Sequence, residues 1–201
     1  MSSYTPKIDL AAKFRHAYDQ ITKPQFLKME AIGGEVPHYV LAYPPAQELE
    51  CRRELTALAK KLRENGVRAL AVDVFALCHA TIVDNVDDVR DLYELEREEP
   101  TDAFLETMQS LTDMTERFLP ALEQAMERHG PYDVLFLYGV GQAYPFLRSH
   151  TLLENLQHVT KTAPTILFFP GTYTGTSFQL FGRLPSDNFY RAFDMDTLKL
   201  S

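Results

Sequence analysis

At 201 residues the chain is long enough for one ordinary domain with its own core and short for two independent ones. Hydrophobic residues make up 45% and charged residues 24%, with 13 Phe and 10 Tyr, a balance that excludes a disordered chain. The formal net charge of -8 argues against a protein whose main task is gripping phosphate backbones, because that affinity rests on clustered Lys and Arg releasing counterions.

Met1 to Leu10 mixes Ser, Thr, Lys and Asp without the apolar run of a signal peptide. No later stretch approaches the length of a membrane span, so a cytoplasmic protein without a membrane partner is expected. From Asp9 to Met29 the residues Leu10, Phe14, Tyr18 and Ile21 recur at helical spacing and predict a packing helix. Gly33-Gly34 breaks the chain before the apolar, β-branched run Val36 to Tyr43, the first expected strand, which ends at Pro44-Pro45. Ala46 to Asn65 places Leu49, Leu55, Leu58 and Leu62 along one side of a second helix, closed by Gly66. Arg68 to Phe75 then reads as a strand covered on both faces, and strand, helix, strand suggests a parallel crossover.

Between Asp84 and Glu99 eight acidic residues stand against Arg90 and Arg97, so this segment carries most of the net charge. A solvated helix or loop is the expected reading, and an acidic docking surface for a basic partner is the functional alternative. Thr101 can cap a long helix through Phe104, Met108, Leu111, Phe118, Leu122 and Met126, with a kink or split expected near Phe118 because of Pro120. Tyr132 to Tyr138 is a third strand, Leu152 to Val159 a short helix, and Pro164 to Phe169 a fourth strand. Ser177 to Phe181 alternates, and Tyr190 to Phe193 could add one more strand after the Pro185-Ser186-Asp187-Asn188 turn. The fold class expected is α/β, a mostly parallel central sheet with helices on both faces, in three layers like a degraded P-loop or Rossmann fold, with antiparallel edge strands at the C-terminus. One domain spans 1-201, with a helical segment at 1-32 and the α/β core at 33-201.

Open parallel sheets bind ligands beyond the carboxyl ends of their strands, but no Gly-x-x-x-x-Gly-Lys-Ser/Thr loop follows any strand here. After the first strand, Pro44 and Pro45 lack the amide donors that cradle phosphate. Gly139 and Gly141, with Gln142, Arg148 and His150 close behind, form the best candidate for a ligand- or partner-facing loop. The competing reading is that these glycines only turn the chain and that Tyr144-Pro145-Phe146 plugs the core. Gly171 and Tyr173 form a second loop expected on the same strand ends, so the two could share a pocket. Arg183 and Arg191 add positive charge there, or act as buried anchors for carboxylates. Asp73 and Asp133 are the acids worth testing as metal ligands, but two isolated carboxylates define no site, and no metal or other cofactor is expected. Cys51 and Cys78 make neither a disulfide framework nor a four-ligand zinc site. Neither Cys78-His79 nor Ser149-His150 comes with the base and orienting acid of a nucleophilic enzyme, so no catalysis is expected.

Three ordered blocks carry a family resemblance. The first is Val36-Pro37-His38-Tyr39 leading into Tyr43-Pro44 and the helix Glu48 to Leu55; the second runs from Leu137 to His150. The third is Phe168-Phe169-Pro170-Gly171-Thr172-Tyr173 with Leu180 to Leu184 and Tyr190 to Phe193. Together they resemble the BrxB family of BREX (bacteriophage exclusion) systems over nearly the whole chain. Thr172 and Thr174 stand where acidic residues are commoner in that family, which weakens any metal-binding role for the loop. The resemblance implies a small component of a bacterial phage-exclusion operon, encoded beside an AAA-type ATPase, a DNA methyltransferase and the phosphatase-like PglZ. It implies no established catalytic activity. A non-catalytic adaptor for other BREX proteins, PglZ first, follows as the leading expectation, serving phage restriction and host methylation, with DNA reached indirectly through the complex. The rival is a nucleotide- or nucleic-acid-binding subunit.

Overall fold

A computed structural model describes residues 8–30, 37–160, 162–185 and 192–200. Helix α1 (Leu10–Ile21) begins where Asp9 accepts a hydrogen bond from the Ala12 amide. It is shorter than its apolar spacing suggests. Thr22 ends it, and Pro24, harmless in a first turn, opens the separate one-turn helix α2 (Pro24–Leu27). Strand β1 (His38–Tyr43) is buried almost throughout and stops at the expected prolines.

A 3-10 turn, Pro45–Gln47, leads into α3 (Glu48–Glu64). Leu55, Leu58 and Leu62 are buried as expected, but Leu49 is 76% exposed and Cys51 takes the inward position. At about 100° per residue Leu49 lies about 120° around the helix from Leu55, whereas Cys51 falls on the Leu55 face. Gly66, at φ +79, closes α3 with the Val67 amide donating to Leu62 O at 3.0 Å, the paired bonds of a left-handed cap.

Strand β2 (Ala69–Asp73) is three residues shorter than the expected run Arg68 to Phe75, because Asp73, its last residue, caps α4 (Val74–Asp84). It is also an edge strand with Ala71 exposed, not a strand covered on both faces. The acidic helix α5 (Val89–Glu98) buries no residue, as a solvated segment should. Helix α6 (Thr101–Leu111) does end early, but at Thr112-Asp113, several residues before the expected split near Phe118. Asp113 then accepts from the Thr115 and Glu116 amides and starts a π-helical turn, Met114–Phe118, which runs into α7 (Leu119–His129). Strand β3 (Val134–Tyr138), the short helix α8 (Val140–Ala143) and α9 (Ser149–Leu156) follow, α9 lying about one turn earlier than its apolar run implied.

Strand β4 (Thr165–Tyr173) is longer than expected and includes Phe169-Pro170-Gly171. Strands β5 (Phe178–Leu180) and β6 (Leu184–Pro185) extend it as antiparallel additions. The last strand, β7 (Phe193–Asp194), pairs parallel with β1, so the C-terminal additions are of both kinds. Gly33-Gly34, Ser186 to Asn188 and Tyr190-Arg191 lie outside the described residues.

The principal path runs β2-β3-β4-β1-β7, parallel throughout. From β1 the chain crosses two strand positions to reach β2, then returns one strand at a time through β3 to β4. Right-handed crossovers require the outward and returning connections to lie on opposite faces. That is what divides the core. Tyr39, Leu41, Phe136 and Phe168 pack with α1 and α3, while Val72, Leu137, Leu167 and Phe169 pack with α4, α7 and α9. Phe168 is stacked on Phe14 at 5.6 Å and meets Phe136 edge-on at 5.4 Å, joining α1 to the central strands. The last residues fasten onto α1, with Lys13 paired to Asp196 at 2.7 Å and the Leu200 amide donating to Gln20 at 2.9 Å.

Candidate functional site

The carboxyl ends of β1, β2 and β3 bring Tyr43, Asp73 and Tyr138 to one end of the sheet, and α3 lays Arg52 across them. Its guanidinium donates from Nε to Glu48 at 2.8 Å, from Nη1 to Asp73 at 2.9 Å and from Nη2 to Gln142. It also lies over the Tyr138 ring, 5.0 Å from the centroid. The Tyr43 hydroxyl donates to the second oxygen of Glu48. Burial opposes the charge on Arg52, but the hydrogen bonds to Glu48 and Asp73 outweigh it and hold its pKa above the ordinary value. Burial, followed by Cys51 and Glu48, pushes the Tyr43 phenol far up, and burial likewise raises Tyr138. None of these phenols ionises near neutrality.

Asp73 has two tasks: Oδ2 takes Arg52, while Oδ1 accepts the Phe75 and Ala76 amides at 3.0 and 3.2 Å. Losing a cap costs about 1 kcal/mol and a hydrogen-bonded charge partner about as much again. Asp73→Ala should therefore cost about 2 kcal/mol, a fall of about 4–8 °C in Tm for a chain of this size. Thermal unfolding beside Arg53→Ala, an exposed neighbour of Arg52, checks it; equal Tm values for the two variants would refute the clasp.

Gly139 stands at φ +79 and a β-carbon there would lie 2.5 Å from Asp73 Oδ1, so this glycine is demanded twice, by backbone and by space. At Gly141 a β-carbon would lie 2.7 Å from Pro170 Cγ and 2.9 Å from the Phe181 ring. The two segments expected to share a pocket do meet here. They meet in van der Waals contact, with Tyr144 edge-on to Phe181 at 6.4 Å, so the glycines serve close packing between α8 and the β4–β5 hairpin.

Other expected residues fall elsewhere. Gly171 is in mid-strand opposite Leu180, not in a loop. Tyr173 stacks on Phe178 at 4.5 Å, and its hydroxyl lies 2.7 Å from the carbonyls of Gly175 and Ala192, to which it can donate, while accepting from the Ala192 amide at 3.1 Å; it ties β4 to the segment entering β7. Arg148 is exposed at the start of α9; His150 is in the first turn of that helix, and its side chain, like all of Arg191, lies outside what the structure describes. Arg183 is exposed, which corrects the reading of it as a buried anchor.

Asp133 precedes β3, at the opposite end of the parallel sheet from Asp73. It is held by Arg68 at 2.7 and 3.0 Å, and that bond keeps its carboxyl below the usual range. Among the described residues no cluster of three metal-ligating side chains occurs. Cys78 is buried, and burial pushes its thiol up to about 11, while its neighbour His79 is exposed. Residue spacing could have pointed to Arg52, since Glu48 and Arg52 stand four apart in the first turns of a helix that follows a strand. Its contacts with Asp73 and Gln142, 21 and 90 residues away, had no local signal.

Residues 70–195 match the family model described as BREX protein BrxB. Two relatives bear the same description. One, from Bacillus cereus strain H3081.97, is 29% identical over 178 residues, covering 88% of this chain and 92% of the relative. The other, from Escherichia coli O9:H4 strain HS, is 28% identical over 190 residues, covering 92% of each. No solved structure gives a significant match.

Proposed function

The chain belongs to the BrxB family of BREX proteins, and on that premise we propose that it is a non-catalytic adaptor that docks another BREX protein, PglZ first, in the service of phage exclusion and host methylation. The observation that carries this reading is the filling of the carboxyl end of the sheet by the protein's own groups. Where a doubly wound sheet would open a ligand crevice, Arg52 is engaged with Glu48, Asp73 and Gln142, and α8 packs against the β4–β5 hairpin without room for a methyl group at Gly141. Its outer surfaces then become the functional ones. Among the described residues no helix is long and apolar enough to cross a membrane.

Purified protein mixed with PglZ at micromolar concentration should elute from a sizing column as a complex, corresponding to about 8 kcal/mol of association. Separate elution of the two at that concentration would remove PglZ as the docked protein. The exposure of Arg148 and Arg183 favours a second reading, nucleic-acid binding. It requires affinity for duplex or single-stranded DNA that falls steeply as salt is raised.

A further inference from the structure

Helices α4, α5 and α6 enclose a cavity of about 200 Å³ that opens to solvent along α4 and α5. Cys78, Ile82 and Met108 form a buried apolar floor, with Phe146 beside them. Phe75, 40% exposed, and Val83, 36% exposed, stand on the α4 wall; Tyr93, 61% exposed, stands on the α5 wall. Large apolar side chains left in water at one place mark an interaction surface more often than isolated ones do.

The groove lies beside the most acidic segment of the chain, and its own polar lining is Glu96 and His79. Glu96 lines the groove from α5. Asp84 and Asp87 are exposed at the α4–α5 connection, and Asp91 and Glu94 are exposed on the face of α5 turned from the groove, so they add to the local negative field without lining it. The two arginines of the segment are engaged locally, Arg90 with Asp88 at 2.5 Å and Arg97 with the Tyr93 carbonyl at 3.1 Å. A second copy of this chain would bring the same negative segment against its own, and an anionic lipid surface would be repelled.

Both walls are helices whose backbone bonds are internal, so the groove offers no sheet edge on which an incoming strand could pair. A helix needs only side-chain contacts. The 11 residues of α4 make a wall about 16 Å long, matching about three turns of an incoming helix.

We propose that this groove receives an amphipathic helix of a protein partner, with apolar residues at i, i+3, i+4 and i+7 in the groove and Lys or Arg on the flanks, drawn by Glu96 and the acidic segment that carries it. The proposal rests on the adaptor reading and names the surface through which the adaptor docks. The acidic segment is then the steering element, and the exposed aromatics are the anchors.

The test uses the full chain and a fluorescein-labelled 14-residue helical peptide of that pattern, with Leu in the apolar positions and Lys on the flanks. Fluorescence anisotropy should show saturable binding, about tenfold tighter than for a twin peptide with Glu replacing Lys, and weakening as salt rises. The double variant Phe75→Ser, Tyr93→Ser should weaken binding about tenfold or more with its circular dichroism unchanged, since buried aromatic anchors carry much of such an affinity. Replacing Asp87, Asp91, Glu94 and Glu96 by their amides should remove the preference for the basic peptide. Absence of saturable binding, or equal affinity of the wild-type chain for the two peptides, overturns the proposal. So does a wild-type dimer in sedimentation that the Phe75→Ser, Tyr93→Ser variant splits, which would assign the groove to a second copy. A PglZ complex that survives the double variant leaves the adaptor standing and removes the groove. Absence of a PglZ complex, with peptide binding intact, leaves the groove standing and removes PglZ as the protein docked there.

Discussion

Gly171→Ala is expected to lower stability by about 3 kcal/mol, the upper end of ordinary overpacking, which for a chain of this size is a fall of about 6–12 °C in Tm. A β-carbon at residue 171 would stand 2.2 Å from the carbonyl oxygen of Gln179 and 2.9 Å from the Phe169 ring. The nearer obstacle is backbone, so no side-chain rotation relieves it, and β4 and β5 must part. Their separation would break the pairs Gly171 with Leu180 and Thr172 with Gln179, and would pull Phe178 from its stack on Tyr173. Thr172→Ala, one residue along on an exposed position, is the control and should change stability by no more than about 0.5 kcal/mol. Thermal unfolding of the two variants side by side decides; matching Tm values would mean that the hairpin yields without cost.

The position also explains why a loop was expected there. Pro-Gly is ordinary turn punctuation, and a proline in the middle of a sheet removes a ladder hydrogen bond. In this fold β4 changes partners at that point. Tyr43 of β1 pairs with Pro170, and from Gly171 onward the partner is β5, with the Phe181 amide donating to the Pro170 carbonyl at 2.9 Å. The proline marks the handover between two pairings, and the missing amide falls where the parallel ladder ends.

Strands β1, β3 and the main part of β4 were legible as apolar runs because both their faces are buried, and the gross α/β alternation followed from them. Local side-chain chemistry corrected the boundaries. Asp73 and Asp113 each look like polar interruptions of an apolar segment, and each caps the next helix. Pro120, expected to kink or split a long helix near Phe118, directly follows the π-helical turn Met114–Phe118, which interrupts the α-helical ladder just before it. Leu49 shows the limit of counting apolar residues without placing them around the axis.

Strand order was not legible. It depends on which faces the crossovers use, and that is set by contacts between residues far apart in sequence. The same separation hid the Arg52 clasp: the glycines, Gln142 and Asp73 were each singled out, but their common partner on α3 was not. The acidic segment, by contrast, was recognised from charge alone, and its alternative reading as a docking surface gains an apolar groove beside it.

A second large effect should appear on acidification. His38 is buried at the start of β1, with Nε2 3.0 Å from the Thr160 hydroxyl, whose own proton is directed to the Leu156 carbonyl at 2.8 Å. Burial pulls its pKa down from 6.5 to about 4, so the folded protein holds the ring neutral through the range in which the unfolded chain protonates it. Above about pH 6.5 the residue contributes no pH dependence. Between 6.5 and 4 the unfolded state binds more protons, and stability falls by about 1.4 kcal/mol per unit, about 3 kcal/mol in all; below the folded pKa the contribution levels off. The Asp133 carboxyl, held low by Arg68, removes stability as well when pH falls through its own depressed pKa. His38→Gln keeps a hydrogen-bonding group near Thr160 but cannot take up the proton, so subtracting its profile from that of the unaltered chain cancels the Asp133 contribution. Urea midpoints measured from pH 7 to pH 4 should show the variant losing about 3 kcal/mol less than the unaltered chain. Parallel profiles across that interval would mean that the buried imidazole accepts its proton at the ordinary pH, and that the packing around the start of β1 opens to admit the charge.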